Sequence, residues 1–111
     1  AIVISGPIDI VADSHEAWAI RNGHPMMANI TGTGCMSAGV IGCCVGADPQ
    51  ALLPSCVCAM SAMGICGELA YEKLLSVDGG SGTYRVLLMD AMSKLDGTTL
   101  THRSKAERLR I

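Results

Sequence analysis

Across residues 28–67 a single residue, Asp48, carries a charge. Two long uncharged runs, 28–47 and 50–67, must therefore be sheltered from water. A chain this short has two ways to do so: helices buried in a layered domain, or a membrane-spanning hairpin. The detail favours the first. Asn29, Thr31, Thr33 and glycines occupy the front of the first run, and Pro54 with two serines interrupts the second. Each apolar helix proper is then too short to span a bilayer. Gly42 and Gly46 have the spacing of a helix-pairing motif, but that spacing alone does not place them in lipid. The reading is a soluble layered domain with no membrane partner.

The rest of the chain supplies the other layer. Residues 1–4 form a short apolar run ending at Ser5-Gly6-Pro7, which predicts a doubly buried parallel strand and its exit loop. Residues 8–11 and 17–20 flank the polar turn Asp13-Ser14-His15-Glu16 and predict a β-hairpin. Asn22-Gly23-His24-Pro25 is a second turn. A helix is expected over residues 35–46. Asp48 as N-cap and Pro49 at the first helical position predict the next helix, kinked or restarted at Pro54 and running to about residue 75. It is apolar on nearly every side until Glu68, as a helix buried in a layered fold should be. Residues 79–82 form a glycine loop, and 83–95 an amphipathic helix with Val86, Leu87 and Met89 set against Asp90 and Lys94. The tail, 98–111, holds most of the basic charge and reads as a solvated extension. Because the chain opens on Ala1-Ile2-Val3-Ile4, like the middle of a buried strand, it reads as part of a longer protein.

Composition closes several possibilities. Net charge is −2 with no basic block, which excludes a nucleic-acid partner. Six cysteines raise the question of a secreted disulfide scaffold. Five of them, however, lie in apolar helical runs beside Ala, Val and Met, where a free thiol behaves as a small hydrophobe. Cys56-Val57-Cys58 is too tightly spaced for zinc, and no second Cys/His pair completes a site. Reduced, structural thiols imply a cytoplasmic location.

One stretch carries chemistry. Thr31-Gly32-Thr33-Gly34-Cys35 ends where a helix should begin. A helix N-terminus has unpartnered N–H groups and a partial positive charge, and glycines let phosphate oxygens approach the backbone. The anion of a thiol placed there is favoured. The turn is not a Walker A loop, since no Gly-Lys-Ser/Thr follows. An anion cradle beside a titratable sulfur suits phosphoryl transfer to a hydroxyl group. The residues themselves also allow a plain turn with a small buried cysteine.

The combination of Asn22-Gly23-His24-Pro25 with Thr31-Gly32-Thr33-Gly34-Cys35 resembles the hydroxyethylthiazole kinase family of the ribokinase-like superfamily. Related sugar kinases carry Gly-Ala-Gly-Asp at the loop, and the thiazole kinases place cysteine where that aspartate stands. The resemblance implies an α/β fold, a mostly parallel sheet flanked by helices. It implies that residues 1–111 are the C-terminal part of one kinase domain, with several strands and much of the pocket contributed by the preceding part. It implies ATP-dependent phosphorylation of 4-methyl-5-(2-hydroxyethyl)thiazole, with Mg²⁺ accompanying ATP, in a homotrimer whose sites lie between subunits. Carried over by position, Cys35 stands near the acceptor hydroxyl and assists its deprotonation, Gly32 contacts the thiazole, and Thr33 and Gly34 offer amides to the transferred phosphoryl. Thr31 donates its hydroxyl to phosphate or caps the loop. Ser5, at the end of the first strand, contacts ATP or is a turn serine. No metal ligand is assigned in this chain. The alternatives are a kinase of another small alcohol on the same fold and a non-catalytic remnant, and this piece alone is expected to be inactive.

Other residues read as structural. Trp18 covers the core from the hairpin, His24 supports its turn, Met60 and Met63 belong to the helical core, and Asp13 faces solvent. The 79–82 loop needs no ligand to explain it.

Overall fold

A computed structural model describes residues 1–110. Four strands and four α-helices follow in the order β1 (Ile2–Ile4), β2 (Asp9–Ala12), β3 (Ala17–Ile20), a short 3-10 helix (Pro25–Asn29), α1 (Thr33–Ala47), α2 (Leu52–Val77), α3 (Ser81–Lys94), α4 (Gly97–Arg103) and β4 (Ala106–Leu109). The strands form one sheet in the order β1-β2-β3-β4. This is the expected α/β class, a sheet packed against helices.

The pairing differs from the mostly parallel sheet expected. Every pair among the described strands is antiparallel, with Val3 opposite Val11, Val11 opposite Trp18, and Trp18 opposite Arg108. The physical reason is connection length. Residues 5–8 and 13–16 join β1 to β2 and β2 to β3, whereas parallel neighbours need a crossover of about a dozen residues or more. The second of these hairpins is the one anticipated, its turn tied by Asp13, whose Oδ1 accepts from the His15 and Glu16 amides. β1 is not doubly buried. It is an edge strand with Ile2 and Ile4 mostly exposed, and only Val3 packs inward.

Two apolar clusters hold the layers together. Val11 and Ile20 of the sheet meet Leu53, Cys56 and Met60 of α2, with Ile41 and Val45 of α1 against them. Farther along α2, Met63, Cys66, Ala70 and Leu74 pack on Tyr84 and Leu88 of α3. α2 has the length and composition of a membrane span, yet 67% of its most apolar window is buried by the rest of the chain. Its close fit depends on Gly64: a Cβ there would sit 2.6 Å from that of Asn22.

Local expectations are corrected at four places. Asp48 is the C-cap of α1 rather than the N-cap of α2, its amide donating to the Cys44 carbonyl. Its own carbonyl accepts from Ala51, closing a turn with Pro49 inside it. α2 starts at Leu52, so Pro54 falls in the first turn, where an amide has no intrahelical acceptor and its loss neither kinks nor restarts the helix. In α3 the inward face is Tyr84 and Leu88, one turn apart, while Val86 and Met89 are exposed. The tail is not a solvated extension. Asp96 caps α4 by accepting from the Thr99 amide at 2.8 Å, and β4 completes the sheet beside β3. All six cysteines are free thiols, Cys56 and Cys66 buried, and burial pushes the Cys66 thiol up to about 11.

Candidate functional site

The glycine turn leads directly into α1. Gly32 is its N-cap, in the left-handed region at φ +96°, where a side chain would be strained. Its carbonyl accepts from the Met36 amide at 2.9 Å, which closes the first helical turn. The three amides before that bond, of Thr33, Gly34 and Cys35, have no acceptor among the described residues, and no side chain caps the helix. The uncharged first turn leaves their partial positive charge uncompensated. Gly34 itself is helical and has open space around its Cα. Of the two glycines, only Gly32 is demanded by backbone conformation.

The turn is anchored from behind. Arg85 of α3 donates to the Thr31 carbonyl at 3.0 Å. The preceding segment, Asn22-Gly23-His24-Pro25, is tied to α2 and to the C-terminal residues. Asn22 donates through Nδ2 to Glu68 Oε2 at 2.9 Å and to the Arg103 carbonyl at 2.8 Å, and its Oδ1 accepts from the Lys105 amide at 2.7 Å. Glu68 Oε2 also accepts from the Gly23 amide at 2.9 Å. His24 caps the 3-10 helix, Nδ1 accepting from the Met26 amide at 3.0 Å, and its ring stacks on Tyr71 with centroids 3.6 Å apart. The structural role expected for His24 is the one it has.

A cavity of about 590 Å³ opens beside this turn. Thr33, Gly34 and Ser37 of α1 line one side and Ser5-Gly6-Pro7 another. Met27, Met60 and Met63 make its apolar wall. So three of the six anticipated site residues, Ser5, Thr33 and Gly34, share one cavity. Thr31, Gly32 and Cys35 are not among its lining residues. Cys35 is exposed. Thr33 and Ser37 are one turn apart on one face of α1, and Cys35, two residues from each, projects from the opposite face.

Two carboxylates here were not singled out from sequence. Asp9 lines the cavity and Glu68 fixes the turn beside it. The signal for Asp9 was present: in Ile8-Asp9-Ile10-Val11 the aspartate shares the inward register with Val11, an unusual place for a charge. Glu68 offered none, because its partners lie 45 and 46 residues away in the chain.

Comparison with known proteins gives one answer. A family model described as "Hydroxyethylthiazole kinase family" matches residues 1–98. A hydroxyethylthiazole kinase of Desulfovibrio desulfuricans is 51% identical over 117 aligned residues, which cover 99% of this chain and 41% of the relative. One from Alkaliphilus oremlandii is 43% identical, covering 97% of this chain and 39% of its own length. The solved hydroxyethylthiazole kinase of Pyrococcus horikoshii OT3 superposes with a TM-score of 0.84 at 27% identity, over 97% of this chain and 40% of that one. The chain thus spans about two fifths of the length of the curated relatives it matches.

Proposed function

The chain belongs to the hydroxyethylthiazole kinase family, and on that premise we propose that the protein carrying it transfers the terminal phosphoryl group of ATP to the hydroxyl of 4-methyl-5-(2-hydroxyethyl)thiazole. The observation that carries the reading is the set of three unpaired amides at the start of α1, beside a cavity lined by Ser5, Thr33 and Gly34. Such a helix start holds an anion through backbone hydrogen bonds and dipole charge.

The two faces of the first turn suggest a division of labour. The nucleotide occupies the cavity, its apolar part against Met27, Met60 and Met63 and its phosphates toward Ser5 and the amides. The acceptor alcohol approaches from the exposed face, where Cys35 stands, with Gly32 at the thiazole. The transferred group then passes over the helix end between them, and Thr31 takes part through its hydroxyl. Phosphoryl transfer has a loose transition state, so alignment and charge stabilisation outweigh proton removal. In this arrangement Cys35 assists the hydroxyl, and its loss slows the reaction without stopping it.

Mg²⁺ is proposed to accompany ATP. The donor set in this stretch does not fit a metal cage: no group of three His, Cys, Asp or Glu side chains among the described residues is placed to hold an ion. A cytoplasmic location is supported by six free thiols. A homotrimer is supported by the uncharged α1, which has no fully buried residue of its own.

The deciding experiment is an ATP-consumption assay on the full-length protein with the thiazole alcohol against ribose. Turnover with the thiazole alcohol alone is expected. Equal or better use of another small alcohol reassigns the acceptor, and no turnover with either leaves a non-catalytic remnant.

A further inference from the structure

Asp9 is the one carboxylate lining the cavity, and with 8% of its surface exposed it is more than nine-tenths buried. Its Oδ1 accepts from the Gly6 amide at 3.0 Å, which fastens the Ser5-Gly6-Pro7 turn. Its Oδ2 has no hydrogen-bond partner among the described residues. That oxygen is not sealed in, because no side-chain nitrogen or oxygen among them is both fully enclosed and unbonded. The residue that carries it lines the cavity. The lining holds no Lys or Arg, and its one other titratable group, His24, already uses Nδ1 on Met26 and its ring face on Tyr71. Burial raises the Asp9 carboxyl above the ordinary aspartate range, only partly opposed by the Gly6 bond.

In the free protein water can reach this oxygen; a ligand that fills the cavity and displaces the water leaves it unpaired unless the ligand itself supplies a donor. Phosphate oxygens are the wrong chemistry, since a carboxylate repels them, and the amides of α1 already serve them. What remains of a nucleotide is a neutral O–H or N–H on the nucleoside. We propose that Asp9 is a specificity-determining contact that accepts a hydrogen bond from the nucleoside part of the phosphoryl donor, a ribose hydroxyl or the exocyclic amine of the base. This rests on the reading of the cavity as the nucleotide site.

The test uses equilibrium binding and steady-state kinetics on the full-length protein. Asp9→Asn keeps an oxygen for the Gly6 amide but replaces the second oxygen with a donor. It should raise the Kd and KM for ATP about tenfold or more with little change in kcat and an unchanged Tm. The two possible sources are separated with the wild-type protein, which needs no variant to fold. Weaker binding, by about tenfold, of 2′-deoxy-ATP or 3′-deoxy-ATP assigns the ribose, and the same loss with purine riboside triphosphate assigns the amine. Either result supports the contact if the affected analogue binds Asp9→Asn no worse than it binds wild type. Three results overturn it: an Asn variant equal to wild type while Asp9→Ala is impaired (a turn fastener only), no discrimination among the analogues, or a shift confined to the half-saturating Mg²⁺ concentration. If the wild-type protein binds no nucleoside triphosphate, the proposed function fails with it. If it binds ATP and Asp9→Asn does too, equally well, only this contact fails.

Discussion

The carboxylate of Glu68, midway along α2, accepts a hydrogen bond at 2.9 Å from the backbone amide of Gly23. The same oxygen takes the Asn22 side-chain amide, so the buried helix grips the turn that feeds the glycine loop. Arg103, 3.6 Å away, and Lys105, 3.9 Å away, balance its charge.

Removing that grip should be costly. Glu68→Ala leaves two donors without an acceptor and is expected to destabilise the protein by about 2–3 kcal/mol. Glu68→Gln retains an acceptor and should cost about 1 kcal/mol. Urea unfolding of the two variants beside wild type measures both. Equal stabilities would mean that water replaces the carboxylate without penalty.

The two glycines of the loop should separate on substitution. Gly32→Ala forces a side chain into left-handed backbone and should cost roughly 1–2 kcal/mol in stability. Gly34→Ala meets nothing within 4 Å and sits in regular helix, so stability should hold or rise by up to about 1 kcal/mol. Its expected defect is in turnover, because the added methyl crowds the approach to the amides. Thermal melts paired with ATP kinetics distinguish the two, and a Gly34→Ala enzyme with wild-type kinetics would remove the cradle.

Cys35 should prove helpful rather than indispensable. Cys35→Ala in the full-length protein is expected to slow kcat by roughly 10–100-fold, at or below the bottom of the usual range for a proton-transfer group because alignment dominates this transfer. Cys35→Asp, a carboxylate base at the same point, should match or exceed wild type. A well-folded but inactive Asp variant would argue against a proton-accepting role. Because the side chain is exposed, neither substitution should move the Tm appreciably.

Tyr84 gives an alkaline signature. Its hydroxyl donates to the Gly67 carbonyl at 2.9 Å inside the core, and burial pushes its pKa up to about 12 from 10.0. Between those values the native state holds a proton that the unfolded chain has lost, so stability should fall as pH rises through that window. Tyr84→Phe should cost about 1 kcal/mol at neutral pH and make this decline shallower, leaving the part that the buried Cys66 thiol contributes. Denaturant midpoints across the window test both, and an unchanged slope in the Phe variant would place the alkaline sensitivity elsewhere.

Much of the architecture could be read from residue patterns because local chemistry decides it. The uncharged run after the glycines reads as a helix, although α1 turns out to have no fully buried residue in this chain, and Asp13-Ser14-His15-Glu16 could only reverse the chain between two apolar segments. β1 misled because three apolar residues in a row serve equally as an edge strand covered on one side. Pro54 misled because its effect depends on whether a helix starts two residues earlier or five. The tail misled because Asp96 and Thr99 form a cap only once Gly97 is helical, and β4 exists only through β3. At the site, the loop was legible from its glycines. Asp9 was legible in principle from its inward register, while Glu68 acquires its purpose from a turn far away in sequence.

Asn22 is also held by residues near the chain's other end, Arg103 and Lys105, just ahead of the strand that closes the sheet. Loss of the residues from Ser104 onward therefore acts from a distance on the turn that leads into the proposed phosphate loop. A purified sample clipped before Lys105 should retain its helices and yet handle nucleotide poorly, and it would be mistaken for a catalytic mutant unless its mass were checked.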